Sequence, residues 1–211
     1  MEFRVINDVP KTPGGIKFEK EIGIPFTKQI LPKIINYIWS TLFQQNNPSE
    51  RKNIDVLQVF ITKIDEKPTP VGVAYGNTIN ISVDFIQETK TEEMKWYFTA
   101  VMLHEATHVF QWNGEWECPS GLREGVAEYA MLKANYVKPN FLKPGEGDRW
   151  DQGYAFTARF LEYCEGLVPG FVAKLNKKMR KTYNVLYFKE ITGKSVEQLW
   201  MDYKAKYGKK N

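Results

Sequence analysis

Histidine is scarce in this chain: there are two among 211 residues, and they stand four apart, at His104 and His108. Cysteine is as scarce. Cys118 and Cys164 form no CxxC pair, which argues against a cysteine-built zinc site and leaves either one disulfide or two buried thiols. Long hydrophobic runs are missing too. The most apolar stretch, Trp96 to Trp112, is interrupted by Thr99, His104, Glu105, Thr107 and His108, short of the roughly 20 uninterrupted apolar residues that span a bilayer. A buried helix suits it better, and no membrane partner is expected. The opening Met1-Glu2-Phe3-Arg4 lacks the apolar region of a signal peptide, so the expectation is an intracellular protein or a mature form with its signal removed.

What is present supports a folded domain. Hydrophobic residues make up 43% and aromatics 14%, enough for a sizeable core without disulfide staples. The length predicts a single domain over residues 1–211, with an N-terminal lobe of about 1–113 and a helical C-terminal lobe of about 114–211. The net charge is +4, and lysine and arginine thicken late, at Lys177, Lys178, Arg180, Lys181, Lys204, Lys206, Lys209 and Lys210. No nucleic-acid motif accompanies them, so they read as solvated helix faces and a frayed tail. Asn80-Ile81-Ser82 is a glycosylation sequon, a triplet common by chance.

The pattern along the chain runs from strands to helices. Glu2 to Asn7 alternates as a strand, and Pro10 to Gly15 reads as a turn-rich break. Ile30, Ile34, Ile35, Ile38 and Leu42 recur at helical steps, predicting a helix over Pro25 to Gln45. Asp55 to Ile64, Val71 to Tyr75 and Thr78 to Phe85 read as strands, the last two joined by a tight Gly76-Asn77 hairpin. Thr89 with Glu92 has the form of a capping box opening a helix to Trp112, and Pro119 is placed to start another to Tyr136. Lys138 to Arg149 is a loop. Helices are expected over Asp151 to Glu165, Pro169 to Lys181, Tyr187 to Thr192 and, from a Ser195/Gln198 capping box, to Tyr207. This order predicts an α+β fold, a small N-terminal sheet with one long helix followed by a helical lobe.

His104-Glu105-Ala106-Thr107-His108 is an HExxH motif within that long helix. Residues four apart share a helix face, so both imidazoles can reach one ion, while Glu105 stands close enough to take a proton from a water on it. A catalytic zinc needs three protein ligands and one open position. Glu115, Glu117, Glu124 and Glu128 all follow as third-ligand candidates. Glu124 and Glu128 lie four apart among Leu122, Val126, Ala127, Ala130 and Met131, and two carboxylates on a packed face repel unless a cation lies beside them. A division of labour makes Glu124 the ligand and Glu128 the acceptor of a histidine ring N–H, that of His104. Tyr154 is the candidate donor to a developing oxyanion, with a core tyrosine as the alternative; Arg149 is a weaker candidate. Trp112 and Trp150 line a cleft or belong to the core. The hairpin Val71 to Ser82 offers an edge strand to an extended peptide.

The long motifs point further. Thr12-Pro13-Gly14-Gly15, Phe43-Gln44-Gln45-Asn46-Asn47-Pro48, Gly72-Val73-Ala74-Tyr75, the stretch from His104 to Gly114, Gly121 to Tyr129, Gly147 to Tyr154 and Gly193 to Trp200 together resemble the plant basic secretory protein family, a group of zincin-like peptidases. The resemblance implies a zincin-like fold, secretion to the apoplast, a link to plant defence and a ligand glutamate at Glu124. Where the family usually carries Asp four residues later, this chain has Glu128, one methylene longer. The expectation is a zinc metalloendopeptidase, a monomer acting on peptide or protein and not on nucleic acid. Two other readings stay open: a zinc-stabilised defence or interaction protein with little catalysis, and a basic binder of cell-wall polyanions.

Overall fold

The computed structural model describes residues 1–208, so Lys209 and Lys210 of the basic tail lie outside the described residues. Two compact units divide the chain, one from Met1–Tyr37 and Lys52–Phe110, the other from Ile38–Arg51 and the residues from Gln111 on. The architecture is α+β, a small mixed sheet with many helices. Among the described residues no helix is long and apolar enough to cross a membrane.

The first unit holds the sheet. Strands β1 (Glu2–Asn7), β2 (Val56–Thr62), β3 (Gly72–Tyr75) and β4 (Thr78–Ser82) lie in the order β1-β2-β4-β3. β1 and β4 run parallel to β2, and β3 runs antiparallel to β4 at one edge. Leu57, Val59, Ile61, Ile79 and Ile81 are buried on one face, as alternation requires of a sheet packed on a core.

Helices α1 (Pro13–Glu21), α2 (Gly23–Tyr37), α3 (Val83–Glu88) and α4 (Met94–Phe110) complete this unit. Four boundaries differ from the sequence reading. The break after β1 ends at Thr12, whose hydroxyl accepts from the Gly15 amide at 3.1 Å, so Pro13-Gly14-Gly15 is a first helical turn and not a loop. The two glycines are there for close approach: a Cβ on Gly14 would collide with the Val83 backbone, and one on Gly15 with that of Val9. β4 stops at Ser82, which caps α3 through the Phe85 amide at 3.4 Å. Thr89 therefore closes α3, its hydroxyl donating to the Phe85 carbonyl at 2.7 Å, and forms no capping box with Glu92; α4 begins only after a single 3-10 turn at Thr91–Glu93. The predicted helix over Pro25 to Gln45 is α2 to Tyr37, followed by a π-helical turn over Ile38–Leu42.

The second unit is helical: α5 (Ser120–Lys133), α6 (Tyr154–Leu167), α7 (Phe171–Lys178), α8 (Tyr187–Thr192) and α9 (Val196–Tyr207). Pro119 is the residue before α5 and not its first. Ser195 caps α9 through the Gln198 amide at 3.3 Å, as its sequence predicts. An aromatic cluster of Trp150, Phe160, Phe171, Phe188, Trp200 and Tyr203 forms the core, which places Trp150 in packing. Trp112 stacks under Arg180 at 5.4 Å and donates to the Glu50 carbonyl at 3.3 Å.

α5 and α6 lie side by side in the same direction. Gly121 faces the Asp151 carbonyl, Gly125 faces Thr157, and Lys133 pairs with Glu165 at 3.6 Å. This alignment decides between the two readings of the cysteines. Cys118 precedes the start of α5 and Cys164 sits near the end of α6, so at 1.5 Å per residue they are about 16 Å apart along the helices, against the roughly 7 Å that a disulfide spans. Both are buried free thiols, and burial pushes Cys118 up to about 11 against the opposing pull of Arg123. Alkylation of the denatured, unreduced chain is expected to add two adducts by intact mass; a chain that adds none carries the bond.

Candidate metal centre

α4 is buried almost all the way round, and a half-buried stripe of Val101, His104 and His108 is its exception near the C-terminal end. The spacing of three and four keeps these side chains in line. The two Nε2 atoms stand 3.1 Å apart with the rings at 77°. Two ligands at 2.0–2.1 Å from one tetrahedral ion would be separated by about 3.3 Å, so the pair is close to the spacing zinc asks for. Glu105, one residue on, turns inward and is 5% exposed. It lies across the edge strand: a Cβ on Gly72 would meet Glu105 Cγ and Oε1 at 2.9 Å.

The C-terminus of α4 is held by Lys52, whose ammonium donates to the Val109 carbonyl at 3.2 Å. Cations suit this end of a helix, where carbonyls lack intrahelical partners. Burial pushes the Lys52 ammonium down to about 8. Unfolded, the lysine keeps its proton up to about 10.4, so between the two values the unfolded chain binds more protons and stability rises with pH. Melting temperatures of wild type and Lys52→Met are therefore expected to diverge from pH 7.5 to 10, wild type gaining roughly 5 °C on the variant. A constant gap would mean that Lys52 is not desolvated.

Glu124 stands in the second turn of α5. Ligand atoms of His104, His108 and Glu124, all half-buried, lie within 4.8 Å of one another and can hold a metal ion. Two imidazoles and one carboxylate are the donors of a catalytic zinc site. The other carboxylates are placed elsewhere. Glu115 is exposed in the α4–α5 connection, Glu117 accepts from the Tyr183 amide at 3.0 Å, and Glu128 is half-buried one turn beyond Glu124 and outside the group of three.

Tyr154 opens α6 and is 58% exposed, so it is not a core residue. The close packing of Gly121 and Gly125 draws the start of α6 onto α5, and a Cβ on Gly153 would come within 4.0 Å of Glu124 Cβ. Gly153 has φ +101° and Tyr154 itself φ +43°, a strained value for a non-glycine residue. The loop before it is tethered by α9: Tyr203 accepts from the Gly145 amide at 2.7 Å and Lys204 donates to the Gly145 and Gly147 carbonyls at 2.6 and 2.7 Å. Arg149 is exposed and pairs with Asp151 at 3.3 Å.

Two features escape the sequence reading. One is Gly72 under Glu105, foreshadowed only by the small residues Gly72 and Ala74 alternating on one strand face. The other is the turn between α4 and α5, where Gly114, Glu115 and Trp116 are consecutively left-handed at φ +64°, +54° and +75°. Asn113-Gly114 signals a turn, yet nothing in Glu115 or Trp116 does. The Asn113 carboxamide holds it by accepting from the Trp116 amide at 3.0 Å, and Arg123 stacks on the Trp116 ring at 5.1 Å.

Among known proteins, the family model described as "Peptidase of plants and bacteria" (BSP) matches residues 1–203. A basic secretory protease of Boswellia serrata is 46% identical over 59 residues, 28% of this chain and 67% of that relative. No solved structure matches.

Proposed function

This chain belongs to the family of peptidases of plants and bacteria, and from that premise we propose that it is a zinc-dependent endopeptidase of the zincin type. The grouping of His104, His108 and Glu124 beside a buried Glu105 carries the reading. Those three residues would hold the ion, and zinc bound there would polarise the scissile carbonyl and acidify a water.

The chain's own residues do the rest. Glu105 takes the proton of the attacking water and passes it to the leaving amine. Its side chain lies on Gly72 of β3, the antiparallel edge strand, so a peptide added to that edge by main-chain bonds brings its carbonyl toward the carboxylate. The Tyr154 phenol donates to the developing oxyanion; the strained, exposed start of α6 next to Glu124 supports that role. Glu128 accepts the remaining ring N–H of His104, fixing its tautomer. Secretion and a part in plant defence belong to the same proposal, resting on the family resemblance and on the relative's name.

The test is metal analysis of the purified chain alongside casein cleavage with and without a chelator. About one zinc per chain and cleavage abolished by the chelator are expected. Bound zinc with no cleavage across a broad peptide library would replace the peptidase by the zinc-stabilised, non-catalytic alternative. Cleavage that survives removal of the metal would end the metallopeptidase reading.

A further inference from the structure

The inner face of the sheet tapers toward one edge. Strand register aligns Val5, Val59, Ile79 and Ala74 in one row, and Asn7, Ile61, Ile81 and Gly72 in the next. On the two central strands both rows are filled by fully buried branched aliphatics. On β3 the same face carries only Ala74 and Gly72, since Val73 and Tyr75 point to the other side. The space left at the end of the second row is taken by Glu105.

The contact is close. An added Cβ on Gly72 would stand 2.9 Å from both Cγ and Oε1 of Glu105 and 3.1 Å from Cδ, nearer than packed carbon atoms come. Backbone geometry does not call for glycine here, because Gly72 is regular strand, outside the left-handed region. In such a strand alanine would ordinarily be neutral or favourable, by narrowing the unfolded ensemble. β3 cannot easily yield to a methyl: it is paired to β4 from Gly72 to Tyr75, and the Val71 carbonyl accepts from the Ser82 amide at 3.0 Å. The Glu105 side chain, with its rotatable torsions, is the softer partner.

We infer that Gly72 is a positioning residue for Glu105: the missing side chain on the edge strand sets where the buried carboxylate lies. The contact itself stands on geometry alone; its catalytic consequence rests on the proposed role of Glu105 as general base.

A double-mutant cycle in the metal-free chain reads the contact without any catalysis. Gly72→Ala is expected to lower the melting temperature by about 3–10 °C in the wild-type background, the range for overpacking a well-filled site. In a Glu105→Ala background the same change should cost nothing or stabilise. Equal losses in both backgrounds overturn the inference. If Gly72→Ala alone does not fold, recovery of the fold in the double variant supports it, and failure of both overturns it. In the metal-loaded chain, Gly72→Ala should retain its metal and its KM for casein within about twofold while kcat falls about ten- to a hundredfold, as for a reacting group displaced by about an ångström. A Gly72→Ala chain with wild-type kcat removes the positioning role. A wild type that cleaves nothing removes the peptidase reading instead, and the thermal cycle then decides the Gly72–Glu105 contact by itself.

Discussion

Glu105→Gln is expected to keep its fold and its metal and to lose peptide hydrolysis by about 10²–10⁴-fold, the usual share of a general base. The amide reproduces the shape that lies over Gly72 and occupies the same buried position, so the His104–His108 pair on α4 is undisturbed. What it cannot do is accept a proton from water at neutral pH. The change therefore separates placement from chemistry. The measurement is the cleavage rate of an unfolded protein, with zinc content determined for both forms. A zinc-loaded Gln variant as active as wild type would refute the mechanism.

His108→Ala is expected to reduce bound metal from about one ion per chain to nearly none. Two ligands, His104 and Glu124, would remain of the three that lie within 4.8 Å of one another, and a catalytic zinc site is built on three. The loss should also appear as stability. An ion that binds only the folded chain raises its melting temperature by mass action, so a chelator should lower that of wild type and leave the variant unchanged. Glu124→Ala should behave similarly, whereas Glu117→Ala, which removes only the acceptor for the Tyr183 amide, should keep the metal. A His108→Ala chain that holds full zinc would break the ligand assignment. Loss of metal on replacing Glu117 but not Glu124 would change only the third ligand.

Much of this was legible in the sequence for physical reasons. Helical steps of three and four located α2, alternation located β1, Val, Ile and Phe content located β2, and the Gly76-Asn77 turn located the β3–β4 hairpin, because burial and turn geometry write themselves into residue type. The histidine spacing brought two imidazoles together since a helix turn allows little else. Boundaries were less legible. Val83 and Phe85 favour a strand on their own, yet the Ser82 hydroxyl starts a helix there, and one hydrogen bond outweighed the β preference of two residues. Contacts between elements were least legible. Whether Cys118 can reach Cys164 depends on how α5 and α6 run; the glycines that press the two together in parallel are visible as Gly121 and Gly125, but the partner they face is not. Gly72 is the same case: its alternation is local, and the carboxylate above it comes from a helix more than thirty residues away.

The parallel run of α5 and α6 also has an electrostatic consequence. Each helix carries about half a positive charge at its N-terminus, and in an antiparallel pair these would sit beside negative ends and largely cancel. Here both positive ends fall on the same side, where Gly121 meets Asp151 and Gly153 approaches Glu124. Neither helix has an acidic residue in its first turn or a side-chain cap to blunt the field. Tyr154, at the first position of α6, thus stands in a positive potential to which the backbone of both helices contributes. It favours any negative charge that gathers near the Tyr154 phenol, and no substitution of a single charged side chain would remove it.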